Sequence, residues 1–352
     1  MKSTLEVLQH YSEAAGLNQD IQPIDIRNGL EAAWAASPYL MAPMAGVSDK
    51  AYRIMARAAG AGLAWSEMVS VAGIHYKSDK TWDLVMPDAA EPDIAIQLFG
   101  SKPEQFAQAA NLVQSRLGSR LALIDINMAC PVPKVVRKGE GSALMDTPEL
   151  AKSIVDACVR NCQVPVTVKI RAGRRQTNYC APEFALAMEG AGASCVAVHG
   201  RFATQMYTGE ANWDIISQVR NTICIPTIAS GDIFNAQACV DVMEQTKASA
   251  VFCARGTYGN PWIFKDAKQI ASGNPCEMRS VEMRMSAFMC HVRLLEATGA
   301  HIARARSLAG WYFKGIPGAA TLRASAVKMN TADEFCDLAR QACEAYDRYT
   351  NQ

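Results

Sequence analysis

Ile124-Asp125-Ile126-Asn127-Met128-Ala129-Cys130-Pro131 is an apolar run that ends on an asparagine and delivers one thiol, just before a proline, into a loop. A strand that buries its body and presents a polar group at its C-terminal end is how a (β/α)8 barrel displays its chemistry. Working outward, other apolar runs end the same way, on Gln97, Lys169 and His199 and on the turns Ser230-Gly231-Asp232 and Arg255-Gly256. The runs cover residues 39–42, 63–65, 94–98, 121–127, 166–170, 195–199, 225–229 and 250–254. Short, nearly continuous apolar runs of this kind suit strands covered on both faces. Segments with helical spacing lie between them, at 49–59, 103–116, 148–162, 182–190, 213–220 and 235–245. Repeated β-α units imply a parallel sheet, and eight of them within roughly 250 residues match the (β/α)8 TIM barrel.

An open doubly wound sheet is the rival. It concentrates function at one switch point, whereas here polar residues close many runs, and no G-x-G-x-x-G opens the first helix. The chain has 352 residues, more than one core usually organises. The alternation stops at the loop Ser272-Gly273-Asn274-Pro275, and residues from about 281 to 345 read as helices. The expected division is therefore an N-terminal extension at 1–37, a barrel at 38–275 and a small C-terminal helical domain at 276–352. The extension is polar and loosely amphipathic, with no identifiable chemistry.

Half of the residues are hydrophobic and the formal charge is +1, so any nucleic-acid surface must be a local patch. The 12 cysteines are scattered, without a C-x-x-C pair or a metal-ligand cluster, and read as thiols of a reducing compartment. No metal site is expected. Glu6, Glu13 and Asp20 interrupt the apolar core that a signal peptide needs, and no run approaches a membrane span. A cytoplasmic, monomeric protein with no membrane or protein partner is the expectation.

Cys130 precedes Pro131, which biases its backbone away from the helical region. Lys134, Arg137 and Lys138 follow it, so its setting is polar, unlike that of a buried structural cysteine. Nucleophile and general acid are both open: an ordinary thiol, with a pKa of about 8.5, is mostly protonated at neutral pH. Lys169 is a cation at the end of a central strand, where snorkelling has little room. His199-Gly200-Arg201 departs from a satisfied core histidine in the same way. The turns Ser230-Gly231-Asp232 and Ala254-Arg255-Gly256 follow the last two strands, the usual phosphate position of barrels. Pro43-Met44-Ala45-Gly46, after the first strand, would place backbone and an apolar side chain against a flat ring, although a plain turn explains it as well, and Gln97 can bond a ring edge. Glu67 has no role that physics alone assigns. Around the mouth, Lys134, Arg137, Lys138, Arg171, Arg174, Arg175 and Arg201 interleave with Tyr179, Phe202 and Tyr207, which is either a solvated rim or a mixture that suits phosphates and splayed bases. The helical region adds Arg284, Arg293, Arg304, Arg306, Lys314 and Arg323, opposed only by Glu282 and Glu296. That is either a solvated helix surface or a phosphate-contacting patch.

With these residues placed, the chain resembles the tRNA-dihydrouridine synthases, most nearly the B branch of the bacterial enzymes. The resemblance is carried by Ala42-Pro43-Met44-Ala45-Gly46-Val47-Ser48-Asp49, Ser66-Glu67-Met68, the stretch at 124–131, Gly141-Ser142-Ala143-Leu144-Met145, Val168-Lys169-Ile170-Arg171 and Val198-His199-Gly200-Arg201. It continues through Gly209-Glu210-Ala211, Gly231-Asp232-Ile233, Asn260-Pro261-Trp262 and Gly310-Trp311-Tyr312-Phe313-Lys314-Gly315. It implies an FMN-binding barrel that takes hydride from NADPH and passes it to C6 of a D-loop uridine in tRNA, while Cys130 protonates C5. It further implies cofactor contacts from Pro43, Met44, Ala45, Gln97, Lys169, His199, Ser230, Gly231, Asp232, Ala254 and Arg255. Substrate contacts are implied from Asn127, Arg171, Arg201, Arg304, Arg306 and Lys314, with the helical domain gripping the tRNA and the target base leaving its stack. Ala129 stands where Gly is common in the family, Ser230 where Asn is common, and Ala254 where Gly usually precedes the arginine. These departures keep the backbone donors, so they bear on cofactor affinity more than on identity. Two rival readings are a small-molecule flavin dehydrogenase of the dihydroorotate type and a tRNA-binding protein that has lost turnover. The basic C-terminal region counts against the first, and the joint presence of Cys130, Lys169 and His199 against the second.

Overall fold

The computed structural model describes residues 2–350. Met1, Asn351 and Gln352, the outermost positions of the expected extension and helical domain, lie outside the described residues. Eight parallel strands follow one another in ring order: β1 (Tyr39–Met41), β2 (Val69–Ser70), β3 (Ile94–Phe99), β4 (Leu121–Asn127), β5 (Val166–Arg171), β6 (Cys195–His199), β7 (Thr227–Ser230) and β8 (Ala250–Cys253). β1 pairs with β8, and each strand from β2 to β7 pairs in parallel with the next. The run at 63–65, expected as the second strand, is too short for a ladder but occupies that place in the ring. Met41 N donates to Leu63 O at 2.9 Å and Ala95 N to Ala64 O at 3.1 Å, so the segment bridges β1 and β3 and closes the barrel. The ladder of β2 itself lies farther on, against the C-terminal end of β3.

Strand alternation divides the side chains into two sets. Ile124, Ile126, Val168, Val196, Val198 and Val251 face the surrounding helices and join the main core. Leu40, Leu63, Trp65, Leu123, Cys195, Ile228 and Phe252 fill the barrel interior, with Trp65 and Phe252 edge to face at 4.7 Å. The inward set turns polar toward the C-terminal ends: Gln97 sits beside Asp125, Asp125 beside Thr167, Asn127 beside Lys169, and Arg171 beside His199. That change along the barrel axis makes the site.

The extension is integral to this architecture. Ser3 and Glu6 form a capping box that starts the helix Thr4–Ala15, whose Val7 and Leu8 are buried in the main core. The helix Leu30–Trp34 sends Leu30 and Trp34 into the interior cluster, closing the barrel on the side away from the polar ends. Beyond Ile263–Ala271, the helices Val281–Ala297, Ala305–Tyr312, Ala319–Ala326 and Ala332–Thr350 form the C-terminal helical domain. Its core includes Phe288, Tyr312, Phe313 and Phe335. No helix among the described residues is long and apolar enough to cross a membrane.

Candidate active site

The C-terminal ends of the strands open into a cavity of about 400 Å³, within the range of small-molecule and cofactor sites. Its lining brings together Pro43, Met44, Ala45, Gln97, Asn127, Cys130, Lys169, Arg171, His199, Ser230, Gly231, Asp232, Ala254 and Arg255, residues drawn from seven separate segments of the chain. Arg201, Arg304, Arg306 and Lys314, expected at the substrate, are not in its wall.

Cys130 sits on the loop after β4, held from three directions. Its own amide donates to Asn127 Oδ1 at 2.9 Å, with Ala129 N donating to the same oxygen at 3.2 Å. Its carbonyl accepts from Ser142 N at 3.0 Å. Arg171 Nε donates to Ala129 O at 3.0 Å, tying the loop to β5. Gly141, at φ +61°, has to be glycine here: a Cβ would lie 2.8 Å from Cys130 O. Burial pushes the thiol above the ordinary cysteine range, against the opposing pull of the Val132 amide, Arg171 and Lys169. The thiol is protonated at neutral pH, the state a proton donor needs.

Lys169 is 8% exposed, and burial together with the nearby Arg171 lowers its pKa to about 8, against the charge of Asp125. No side-chain hydrogen bond engages its ammonium among the described residues. His199 is held well below the usual histidine range by burial and then by Arg171, Lys169, Arg201 and Arg255, so the ring is neutral at pH 7. Arg171, its pKa lowered by burial to about 10, keeps its charge and also donates to Phe202 O and Met206 O.

The turns after β7 and β8 form one unit. Asp232 accepts from Arg201 Nη1 at 2.8 Å and Nη2 at 2.7 Å, from Arg255 at 3.3 Å and from Ala211 N at 2.8 Å. Arg201 is thus 2% exposed with its guanidinium committed to Asp232, Thr208 O, Gly209 O and, at 3.4 Å, His199 Nε2. It shapes the turn and has no donor to spare for a substrate phosphate. Arg255 remains more than a third exposed, bracketed by the rings of Tyr207 and Phe234 at 4.7 and 4.9 Å. Gly231 adopts φ +117°, and a Cβ there would come within 2.8 Å of the His199 ring and 2.7 Å of Ala211. Backbone, not side chain, therefore faces the cavity at this point.

Glu67, unplaced by the sequence, joins the two domains. It accepts from Gly46 N at 2.5 Å and meets Arg304 at 3.4 Å, while Arg304 pairs with Asp49 at 2.7 Å and bonds Gly46 O. Arg304 therefore clasps the loop after β1, whose Met44, Ala45 and Val47 line the cavity. Arg306 is tied to Met329 O and Asn330, Arg284 to Tyr312 O and Lys314 O, and Arg293 to Glu296 and Asp333. Of the basic helical set, Lys314 is exposed to solvent. Asp125 is a buried acid at the site, and its signal in the sequence is a lone carboxylate inside an apolar strand.

The wall suits a planar cofactor that ends in an anion. Met44, Ala45 and Met68 supply apolar surface, the cations Lys169, Arg171 and Arg255 face the single acid Asp232, and Gly231 leaves a close backbone approach. The positions that depart from the family pattern keep this character: Ala129, Ser230 and Ala254 all line the cavity, and the Ala129 amide and carbonyl are both hydrogen-bonded.

Known proteins give the geometry its context. The sequence model of the family described as dihydrouridine synthase matches residues 40–348. The chain is 36% identical to the probable tRNA-dihydrouridine synthase 1 of Synechocystis sp., across 87% of this chain and 86% of that protein. It is 37% identical to tRNA-dihydrouridine synthase B of Xanthomonas axonopodis pv. citri, across 88% and 94%. It is 35% identical to tRNA-dihydrouridine synthase B of Pseudomonas aeruginosa, across 86% and 91%. Similarity that runs through barrel and helical domain alike, over a cavity built from the very segments that carry the motifs, means that this chain belongs to the dihydrouridine synthase family.

Proposed function

We propose that this protein reduces a D-loop uridine of tRNA to 5,6-dihydrouridine, using FMN as bound cofactor and NADPH as reductant. The observation that carries the reading is a protonated thiol, Cys130, in one cavity wall with a buried ammonium, Lys169, and a neutral imidazole, His199. When bound, FMN supplies the hydride that C6 of the pyrimidine receives. Pro43, Met44, Ala45 and Gln97 would hold its ring, and Ser230, Gly231, Asp232, Ala254 and Arg255 its phosphate end, with Lys169 and His199 near both ring and substrate. Cys130 gives its proton to C5, and Asn127 fixes the loop from which it does so. The base reaches the cavity only after leaving its stack, and the exposed Tyr207 and Phe234 at the mouth offer it rings to stack upon.

The test is spectroscopic. The purified protein should show flavin absorbance, bleach with NADPH under anaerobic conditions, and regain colour when unmodified tRNA is added. Bleaching without reoxidation by tRNA would overturn the tRNA assignment in favour of a small-molecule reductase. A protein that neither carries nor accepts FMN would overturn the cofactor assignment.

A further inference from the structure

Beneath the Cys130 loop, three side chains are linked head to tail. Asp125, 1% exposed, accepts from Gln97 Nε2 at 2.6 Å through one carboxylate oxygen and from Thr167 Oγ1 at 2.7 Å through the other. Gln97 Oε1 accepts from Asn127 Nδ2 at 2.8 Å. Asn127 Oδ1 in turn accepts the amides of Ala129 and Cys130. An amide side chain has a donor end and an acceptor end, and a primary amide can turn over to exchange them. An ionised carboxylate has no donor end, so it dictates the sense of everything stacked on it. Gln97 must turn its NH2 down toward Asp125 and its C=O up, which forces the NH2 of Asn127 down and its C=O toward the loop. A flipped Asn127 would point a donor at two backbone donors, and the turn that holds Cys130 would open.

We propose that Asp125 is a positioning residue which, through Gln97 and Asn127, sets the polarity of this relay and so holds Cys130 in place at the cavity wall. The inference rests on the functional reading only for its consequence in catalysis; the relay itself stands on geometry. Burial raises the Asp125 pKa to about 6, opposed by its bonds from Thr167 and Gln97 and by the charge of Lys169, so the group is an ionised acceptor at neutral pH.

The experiment compares Asp125→Ala, Asp125→Asn, Gln97→Met and Thr167→Val in the full-length flavoprotein. Asp125→Ala removes the acceptor and Gln97→Met cuts the relay one link higher. Asp125→Asn keeps an acceptor for Gln97 while its NH2 bonds the Thr167 hydroxyl, and Thr167→Val removes the branch that does not lead to Cys130. The readout is alkylation of Cys130 by iodoacetamide, followed by mass spectrometry, with the exposed Cys224 and Cys276 as internal references. Asp125→Ala and Gln97→Met should speed alkylation of Cys130 by about tenfold, the scale of one broken hydrogen bond, with the reference thiols unchanged. Asp125→Asn and Thr167→Val should stay within about twofold of the parent on the same scale. An unchanged Cys130 rate in both relay-cutting variants would overturn the proposal, as would an equal rise in Thr167→Val. If Asp125→Ala fails to fold, Gln97→Met and the rescue by Asp125→Asn still decide it. Alkylation needs no tRNA, so a shift in Cys130 reactivity in a protein that does not reduce tRNA would sink the functional reading and leave the relay standing.

Discussion

Cys130 keeps its proton because burial disfavours the thiolate more than Arg171 and Lys169 favour it. A group held in its acid form at the start of the reaction contributes about 10²–10⁴-fold as a general acid. Cys130→Ala should therefore slow tRNA uridine reduction by about 10²-fold or more while flavin content and NADPH oxidation by a free acceptor hold steady. Single-turnover reoxidation with tRNA checks this, and a parent-like rate would end the proton-donor role. Lys169 has the opposite pH logic. Its folded pKa of about 8 lies below the ordinary lysine value, so its positive charge is present at pH 7 and lost as pH rises through 8. If that charge helps to hold an anionic cofactor, FMN affinity should fall between pH 7 and pH 9. The titratable groups facing it are Asp125, Arg171 and the Cys130 thiol. Fluorescence titration of the apoprotein at the two pH values measures the drop, and Lys169→Met should abolish the difference.

The helix Lys50–Ala58 turns two arginines inward. Arg53 is paired with Glu91 through Nε at 2.6 Å and Nη2 at 2.9 Å, each partner 2% exposed. Arg57 meets Asp93 at 2.9 Å and reaches the carbonyls of Ala61 and Gln22. These pairs anchor the helix that follows the cavity-lining loop to the segment leading into β3. A buried ion pair adds little net stability, but removing one partner strands a charge and costs about 3–5 kcal/mol. Glu91→Leu should show a loss of that size in urea unfolding, with reduced flavin retention because the loop after β1 loses its support. A loss under about 1 kcal/mol would mean that water reaches Arg53, as it does for exposed pairs.

Across the whole molecule, the helical domain is seated on the barrel at two cavity-lining loops. Arg304 clasps the loop after β1, and Trp311 stacks on Tyr258 at 4.0 Å with an 8° interplanar angle. Gly259 permits that approach, since a Cβ there would lie 2.5 Å from Trp311 O. Charge reversal at Arg304 and at Lys314 should therefore differ in kind. Arg304→Glu sets like charges together at Asp49 and Glu67 and should loosen the domains, read as faster limited proteolysis. Lys314→Glu, on an exposed residue, should leave proteolysis unchanged and lower the log–log slope of tRNA binding against salt by about 0.7–0.9 for each phosphate that the lysine neutralises. A Lys314→Glu slope equal to the parent's would remove that residue from the tRNA surface. At the opposite end of the barrel, Trp34 is fully buried in the interior cluster. Trp34→Ala should cost about 3–5 kcal/mol, checked by thermal unfolding.

The barrel and the family are legible in the sequence alone, because strands buried on both faces write continuous apolar runs and a polar residue closing such a run stands out. The stretch at 124–131 located the thiol, and the ends at Gln97, Lys169, His199 and Arg255 located the cavity wall. Three things were decided only by tertiary structure. The segment at 63–65 pairs too briefly to read as a ladder, yet its backbone bonds to both neighbours close the ring. The polar residues 1–37 hide a few long-range contacts, Val7 and Leu8 in one core and Trp34 in the other, that no local periodicity reveals. The arginines of the basic set were indistinguishable by composition, because a charge committed to a carboxylate and one left for a phosphate are the same letter. Arg201 and Arg304 found Asp232 and Asp49 across 31 and 255 positions of chain. The sequence by itself determined which groups the molecule has to offer; packing determined which of them remain free to be used.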